Sequence, residues 1–527
     1  MEINKMSLRE KIGQMLMIGF DGYELNTNIV RAIKEYNIGN IILFTRNFKN
    51  IEQLYGLNKE LQNLSISENG HPLFIAIDQE GGMVTRITKG ATFFPGNMAL
   101  SAGGDEKDAY LCGKYSGEEL MALGINFNLA PVLDVNNNRN NPVIGVRSYG
   151  EDPCRVAKLG RAYIKGIQES GVIATGKHFP GHGDTSIDSH IDLSSVNYDL
   201  GRLEQIELYP FRKAIEGGIK AITTAHILFP SYEKARLPAT LSYQVITKLL
   251  RNNLGFKGLI LTDCMEMKAI DDFFGTEKAA YMALNAGADL VCISHTFEKQ
   301  IGAFNIILDK VCKGEIGEER INDSVKRILE FKQKVQVNRF MKSSIQDAKK
   351  IIDQDAHKKF ARTLSEKSIT LLNGKDFLPL NPQDNNLVVG PKAEVLVGID
   401  DEIKNIDIVD AFKKQYPNYD TNIMDLKPND NFIKNITNKS KVKDKIIVCT
   451  YNACFNKEQV ELIKSIYEVN KNILAIVMRN PYDIDEFKFV KGAILVYEYT
   501  PNSIKSLIKI VTGEIKCKGK CPVTIEY

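Results

Sequence analysis

The sequence predicts an α/β protein in which an N-terminal (β/α)8 barrel precedes a smaller α/β domain with a mostly parallel sheet. Three observations support this prediction. Short apolar runs alternate with amphipathic helical patterns over roughly the first 300 residues. Polar side chains follow several of these runs, at the carboxyl ends of the predicted strands, which is where a barrel enzyme carries its active site. Beyond residue 345, further apolar runs alternate with helical segments in the same way.

The barrel prediction depends on the number and spacing of its strands. Amphipathic helical segments, such as Ile51–Leu64, Asp108–Leu123 and Pro210–Gly217, lie between the apolar runs. An open doubly wound sheet is the alternative, because strand counting alone does not separate the two topologies. The eight predicted strands are Met15–Phe20, Ile38–Phe44, Leu73–Ile77, Ile125–Ala130, Val172–Lys177, Ala221–His226, Leu259–Thr262 and Leu290–Ile293.

A polar stretch after Asn338 places the domain boundary near residues 340–345. We therefore expect the barrel over 1–340, a linker over 341–360 and the second domain over 361–527. The segment Lys427–Lys445 is polar and is expected at the surface. A helix over Ala361–Ser368 opens the second domain. Its predicted strands are Ile369–Leu372, Asn386–Val389, Val395–Gly398, Lys445–Thr450, Ile473–Met478 and Ala493–Tyr497.

Composition excludes several classes of protein. A net charge of +3 over 527 residues gives no reason to expect nucleic acid or a membrane as a partner. The apolar run Met15–Phe20 is too short for a signal core or a membrane span. Nine scattered cysteines suit a reducing compartment, and Cys517 and Cys521 lack two further zinc ligands. We expect a cytoplasmic protein, as a monomer or a weak homo-oligomer.

Charged and polar residues stand at the carboxyl ends of four predicted strands. Asp78 ends the third strand, Lys177 and His178 the fifth, His226 the sixth and Asp263 the seventh. One such residue could simply cap the next helix, but four together indicate an active site.

Asp263 directly follows the apolar strand of the segment 258–267. A carboxylate in that position is costly unless it is hydrogen-bonded or used, so Asp263 is a candidate nucleophile or base. The alternative is an N-cap for a helix that begins near Glu266.

The glycine-rich loop after the fifth strand carries a second candidate pair. Asp188 lies two residues from His190 and could orient its imidazole as a general acid and base. His178 and His182 are four residues apart, but Pro180 and the neighbouring glycines argue against a helical zinc motif. No phosphate-binding loop pattern is present, and we predict no metal and no organic cofactor.

A third polar region follows the third strand. Asp78 begins an Asp-Gln-Glu-Gly-Gly turn, and Arg86 and Arg147 add hydrogen-bond donors. Carboxylates together with Arg and Lys suit a polyhydroxylated ligand. From the residues alone, we predict a barrel enzyme with one strand-end Asp, one Asp-His pair and a polar pocket.

These motifs together closely resemble family 3 glycoside hydrolases, specifically the β-N-acetylglucosaminidase branch in its two-domain form. The resemblance covers essentially the whole chain, and its second part implies an αβα sandwich domain. The matching segments are LREKIGQMLMIGF near the start, IDQEGG at 77–82, NFNLAPVLDV at 126–135, GVRSYGEDP at 145–153, KHFPGHGDTSIDSH at 177–190, LTDCMEM at 261–267, ARTLSEKSITLL at 361–372, LPL at 378–380 and GEIKCKGKCPVTI at 513–525.

The resemblance implies a role for each candidate residue. Asp263 would be the nucleophile, His190 the acid/base and Asp188 its partner, in a retaining exo-β-N-acetylglucosaminidase. The substrates implied are muropeptides or other cell-wall fragments, or chitooligosaccharides. The residues that would hold the N-acetylglucosamine ring are Asp78, Arg86, Arg147, Lys177 and His178.

Two positions depart from the pattern of many relatives. Met83 stands where Arg is frequent and Cys264 where a second Asp is frequent, which bears on subsite preference rather than activity. A phosphorylase is the alternative enzyme, because a histidine does not repel phosphate as a carboxylate does. The alternative outside enzymes is a sugar-binding protein without turnover. The Asp188–His190 pair argues against a β-glucosidase.

Overall fold

The computed structural model describes residues 3–185, 193–392 and 407–527. Its N-terminal part is a closed barrel of eight parallel strands in the order β1-β8-β7-β6-β5-β4-β3-β2. Each predicted barrel strand is present within a few residues of its expected position, so the closed barrel is confirmed and the open sheet was wrong. The strands are β1 (Leu16–Ile18), β2 (Asn40–Leu43), β3 (Phe74–Ile77), β4 (Phe127–Asn128), β5 (Ile173–Phe179), β6 (Ala221–Thr224), β7 (Leu259–Cys264) and β8 (Leu290–Ile293).

Helices surround the barrel, and local sequence signals fix their ends. The helix Ile51–Asn69 begins after Asn50, whose side chain accepts from the Gln53 N–H, and it ends at Gly70 with φ of 69°. The main helices of this part are Leu8–Gln14, Thr27–Tyr36, Ile51–Asn69, Asn97–Gly103, Glu106–Ala122, Pro153–Glu169, Leu200–Gln205, Tyr209–Glu216, the π-type segment Gln244–Asn253, Lys268–Phe274, Thr276–Ala286, Phe297–Cys312, Glu318–Lys334 and Val337–Lys342.

Burial along β7 shows where the barrel opens. The first four residues of this strand are buried, whereas Asp263 and Cys264 at its carboxyl end are partly exposed. Leu, Ile and Val side chains of the strands fill the interior, since a barrel of this size is a packed core. The strand ends therefore present their polar residues to a cavity above that core.

The second domain contains a six-stranded sheet in the order β9-β14-β13-β12-β10-β11. Only the β9–β14 pairing is antiparallel. The strands are β9 (Thr370–Asn373), β10 (Leu387–Pro391), β11 (Asp420–Met424), β12 (Ile446–Thr450), β13 (Ile473–Val477) and β14 (Gly492–Leu495). The helices are Asp355–Ser368, Ile408–Gln415, Asp430–Ser440, Lys457–Val469 and Pro501–Val511.

Side chains alternate between the two faces of this sheet. Val389 and Val448 belong to one apolar cluster, whereas Val388 and Ile447 belong to another. Because successive strand residues point to opposite faces, helices cover both sides of the sheet and the αβα sandwich is confirmed. The structure adds β11 and the helix Asp430–Ser440 to the predicted elements. The predicted strand Val395–Gly398 lies outside the described residues.

The two domains are in direct contact. The segment 341–360 contains the helix Ile345–Lys349 and the start of the helix Asp355–Ser368. The Glu498 carboxylate accepts from the Gly96 N–H at 2.7 Å, and Asn502 donates to the Phe93 carbonyl at 2.8 Å. Within the described ranges, no helix is both long enough and apolar enough to cross a membrane.

Candidate active site

A cavity of about 450 Å³ opens at the carboxyl ends of the barrel strands. Six of the residues predicted for the site line it together: Asp78, Arg86, Arg147, Lys177, His178 and Asp263. They lie at or after the ends of four barrel strands, β3, β4, β5 and β7, and meet because parallel strands in a barrel end at the same face. Asp188 and His190, the predicted acid/base pair, lie outside the described residues.

A buried ionic cluster forms one wall of this cavity. The Lys177 ammonium contacts Asp78 Oδ1 and Glu80 Oε1, both at 2.6 Å. Arg147 donates two hydrogen bonds to Glu80, at 2.8 and 3.0 Å. Arg86 lies 3.8 Å from Asp78 Oδ2. Two carboxylates and three cations thus hold one another in fixed positions, with bidentate geometry at the Arg147–Glu80 pair.

The cluster keeps Glu80 and Lys177 ionised despite burial. Burial alone would raise the pKa of Glu80, but the charges of Arg147 and Lys177 hold that pKa below its ordinary value. Burial alone would lower the pKa of Lys177, and the carboxylates of Asp78 and Glu80 raise it instead. The fixed donors and acceptors of this wall can therefore hydrogen-bond the hydroxyl groups of a ligand at neutral pH.

His178 stands between two carboxylates. Its Nδ1 is 2.7 Å from Asp134 Oδ2, and its Nε2 is 3.9 Å from Asp263 Oδ2. Asp134 is fully buried and also accepts from the backbone N–H groups of His178 and His182. Burial would raise the pKa of Asp134, but the neighbouring His178 lowers it below the usual range. Asp134 thus fixes the orientation of the His178 ring against Asp263.

Asp263 is the exposed member of the site. Its side chain is 31% exposed, whereas that of Asp78 is 9% and that of Glu80 is 3% exposed. Its Oδ1 accepts from the Cys264 N–H at 2.8 Å, and His226 Nε2 lies 2.9 Å from the Cys264 carbonyl oxygen. The helix Lys268–Phe274 begins after Met267 with no side-chain cap, so the N-cap interpretation of Asp263 was wrong.

Some important residues were missed from the sequence. Glu80 and Asp134 connect the predicted residues, yet neither was selected. Asp134 lies four residues after the predicted fourth strand, so its position at the carboxyl face was a usable signal. Met83, noted as a departure, lies at the domain contact, where its sulfur accepts from the Tyr499 N–H at 3.3 Å. His226 supports the loop after β7 and does not line the cavity.

Fold and site define a barrel enzyme with a charged cavity at its carboxyl face and an αβα domain attached. The chain belongs to glycosyl hydrolase family 3. The model of the family's N-terminal domain matches residues 7–331, and the model of its C-terminal domain matches residues 369–527. The protein is therefore a glycoside hydrolase.

Individual relatives agree with this assignment. Beta-hexosaminidase A of Pseudoalteromonas piscicida is 31% identical, over 99% of this chain and 98% of the relative. A solved family 3 beta-N-acetylglucosaminidase from Paenibacillus sp. str. FPU-7 is 40% identical, with a TM-score of 0.93 over 98% of this chain and 99% of that one. A beta-hexosaminidase of Neisseria meningitidis serogroup B is 38% identical and aligns with 53% of this chain.

Proposed function

We propose that this protein is a retaining exo-β-N-acetylglucosaminidase that removes terminal, non-reducing N-acetylglucosamine. The observation that carries the proposal is the position of Asp263, a partly exposed carboxylate that faces a wall of buried, ionised residues across one cavity. The similarity over the full chain to a beta-N-acetylglucosaminidase and to a beta-hexosaminidase supports the choice of sugar.

In the first step, a carboxylate oxygen of Asp263 attacks the anomeric carbon and forms a covalent glycosyl-enzyme. The glycosidic C–O bond breaks as His190 gives a proton to the leaving oxygen. In the second step, His190 takes a proton from water, whose oxygen attacks the same carbon and releases Asp263. Two inversions give net retention. Asp188 would set the tautomer of His190; the roles of these two residues rest on the sequence resemblance.

The remaining predicted residues would position the sugar ring. Lys177, Arg86 and Arg147 supply donors held by Asp78 and Glu80, so their geometry exists before substrate arrives. His178, oriented by Asp134, lies beside Asp263 and can contact both the sugar and the nucleophile. Every described residue that lines the cavity belongs to the barrel. The second domain would therefore act through its contact with Met83, in the segment that follows Asp78.

The test compares p-nitrophenyl β-N-acetylglucosaminide with the matching β-glucoside, each with and without phosphate. Selective, phosphate-independent release of p-nitrophenol from the N-acetylglucosaminide supports the proposal. Proton NMR of the first product should show the β-anomer of N-acetylglucosamine before mutarotation. Turnover that requires phosphate and yields a sugar 1-phosphate would identify a phosphorylase. Ligand binding without turnover would identify a sugar-binding protein.

The natural substrate needs a separate comparison. Candidates are cell-wall fragments that carry N-acetylglucosamine on muramic acid, and chitooligosaccharides. Measuring kcat/KM for a disaccharide of each class, with the p-nitrophenyl glycoside as a common reference, would rank them. A preference of about tenfold corresponds to 1.4 kcal/mol of transition-state binding to the leaving sugar.

A further inference from the structure

Three metal-binding side chains meet on the wall of the cavity formed by β7 and β8. Cys264 ends β7, Glu266 follows two residues later, and His295 lies two residues beyond β8. The two strands are paired in parallel with Cys264 opposite Cys292. Residues just beyond the paired strand ends are therefore brought to the same place, although they are some 30 positions apart in sequence.

One donor atom from each residue, a sulfur, a carboxylate oxygen and an imidazole nitrogen, lies within 4.8 Å of the other two. Around tetrahedral zinc, with metal–ligand distances of about 2.0–2.3 Å, donors are roughly 3.3–3.8 Å apart. A contraction of about 1 Å, within the reach of side-chain rotation, brings the three donors into that geometry. We propose that Cys264, Glu266 and His295 bind a thiophilic divalent cation, best matched by Zn²⁺, in the wall of the catalytic cavity.

Neighbouring contacts already orient the Glu266 and His295 side chains. The Glu266 carboxylate accepts from the backbone N–H groups of His295 at 2.6 Å and Thr296 at 2.9 Å. Each carboxylate oxygen keeps lone-pair capacity for a cation. The His295 ring lies against Phe44 with centroids 5.6 Å apart. Such outer contacts hold the ligands of a metal site in place before the ion arrives.

The chemistry of the donors selects the cation. A thiolate and an imidazole favour Zn²⁺ over Mg²⁺ or Ca²⁺, which prefer oxygen. The sulfur and the carboxylate supply two negative charges to the ion, and the thiol proton leaves to solvent on binding. Arg46 lies close to this wall, but its charge is paired with Asp21 at 2.8 Å and its Nη2 donates to the Ser294 carbonyl.

Three protein ligands leave the fourth zinc position open to the cavity. All three line the same cavity as Asp263, whose Oδ1 accepts from the Cys264 N–H at 2.8 Å. A bound cation would compete with the sugar for this space and attract the Asp263 carboxylate. The site is thus inhibitory rather than a cofactor site. The inhibition rests on the proposed function, whereas the binding of the ion does not.

Binding is tested by titrating Zn²⁺ into the reduced, chelator-treated full chain by isothermal calorimetry. The variants Cys264→Ser and His295→Gln should each weaken binding by about tenfold or more, which is 1.4 kcal/mol. Cys312→Ser removes an exposed thiol at the end of a barrel helix and should bind Zn²⁺ as the wild type does. Equal Zn²⁺ affinity in all four proteins, or no binding in the wild type, would overturn the proposal.

A second measurement needs no substitution. Iodoacetamide labelling of the native protein, followed by peptide mass spectrometry, should show Zn²⁺ protecting Cys264 while Cys312 labels at an unchanged rate. If saturating Zn²⁺ does not change the rate at which Cys264 is labelled, the proposed site is contradicted. In glycosidase assays, Zn²⁺ should inhibit the wild type more than Cys264→Ser, and a chelator should reverse it. If no glycoside is turned over, the proposed function is contradicted. The calorimetric test of the metal site does not depend on turnover and still applies.

Discussion

The barrel and the six-stranded sheet of the second domain are built alike but use their strand ends differently. Both are mainly parallel, and both carry helices on their outer faces. In the barrel, β7 runs from buried leucine and isoleucine to the partly exposed Asp263. In the second domain, β12 ends at the buried Thr450, and β14 is followed by the buried stretch 496–500. One set of strand ends surrounds a cavity, and the other packs against protein.

Two carboxylates near strand ends, Asp263 in the barrel and Asp483 in the second domain, show this difference. Asp263 has about a third of its side chain exposed, and its Oδ1 accepts from the Cys264 N–H. Asp483, beside the carboxyl end of β12, is fully buried and accepts from Thr450 and from the Cys454 N–H. Burial raises the pKa of Asp483. A closed barrel therefore directs all its strand ends toward one ligand-binding cavity, whereas an open sheet can use them for packing.

The largest expected effect comes from exchanging each carboxylate for an amide. Asp263→Asn should lower kcat/KM by at least about a thousandfold, because the amide is a poor nucleophile. Asp483→Asn should stay within a few-fold of the wild type, because Asp483 does not line the cavity that holds Asp263. Steady-state kinetics on the p-nitrophenyl substrate give both values, with circular dichroism as the check of folding. Wild-type turnover in Asp263→Asn would remove the nucleophile assignment.

The next largest effect is the loss of stability when an ion pair is broken, and it should be larger for a buried pair of the barrel than for a more exposed pair of the second domain. Glu80→Ala leaves Arg147 without its bidentate partner and should destabilise the fold by about 3–5 kcal/mol. Glu366→Ala breaks a partly exposed pair with Lys509 and should cost no more than about 1 kcal/mol. Urea unfolding of the two variants measures this contrast. Equal losses would show that burial does not govern these pairs.

A pH effect is expected at the domain contact. Burial raises the pKa of Glu498 from 4.5 to about 7. The folded protein then holds this proton more tightly than the unfolded chain, so its contribution to stability is fully present below pH 4.5 and is lost as the pH rises through about 7. Between pH 4.5 and about 7, the free energy of unfolding of the wild type should therefore fall by up to about 3 kcal/mol relative to that of Glu498→Gln.

Urea unfolding at several pH values, plotted as the difference between wild type and Glu498→Gln, measures this loss. Glu461→Gln serves as the control, because it makes the same chemical change at an exposed position. A flat line for Glu498→Gln would mean that its carboxyl group titrates alike in the folded and unfolded states.

The smallest effect concerns one hydrogen bond between the domains. Asn502→Ala removes the bond to the Phe93 carbonyl and should reduce stability by about 1 kcal/mol. Lys505→Ala, on the exposed side of the same helix, should change it by less than about 0.5 kcal/mol. Thermal unfolding followed by circular dichroism resolves the two variants. An Asn502→Ala protein as stable as Lys505→Ala would show that this contact contributes nothing measurable.

The sequence by itself determined the elements with strong apolar patterns. All eight barrel strands were found because buried parallel strands are nearly continuous apolar runs. The strand β11 was missed because it lies at the sheet edge and carries Asp420, Thr421 and Asn422, which give no such pattern. The residues predicted for the cavity were identifiable because they follow apolar strands or belong to distinctive motifs.

Only the tertiary structure decided which side chains those residues contact. It paired Arg147 with Glu80 across 67 positions and His178 with Asp134 across 44. It also placed Cys264, Glu266 and His295 together and brought Glu498 against Gly96. A sequence shows which strand end a residue occupies, but its partners depend on which strands are neighbours, on register and on domain docking. Strand order, register and domain docking are set by packing over the whole chain, so a local sequence pattern does not predict them.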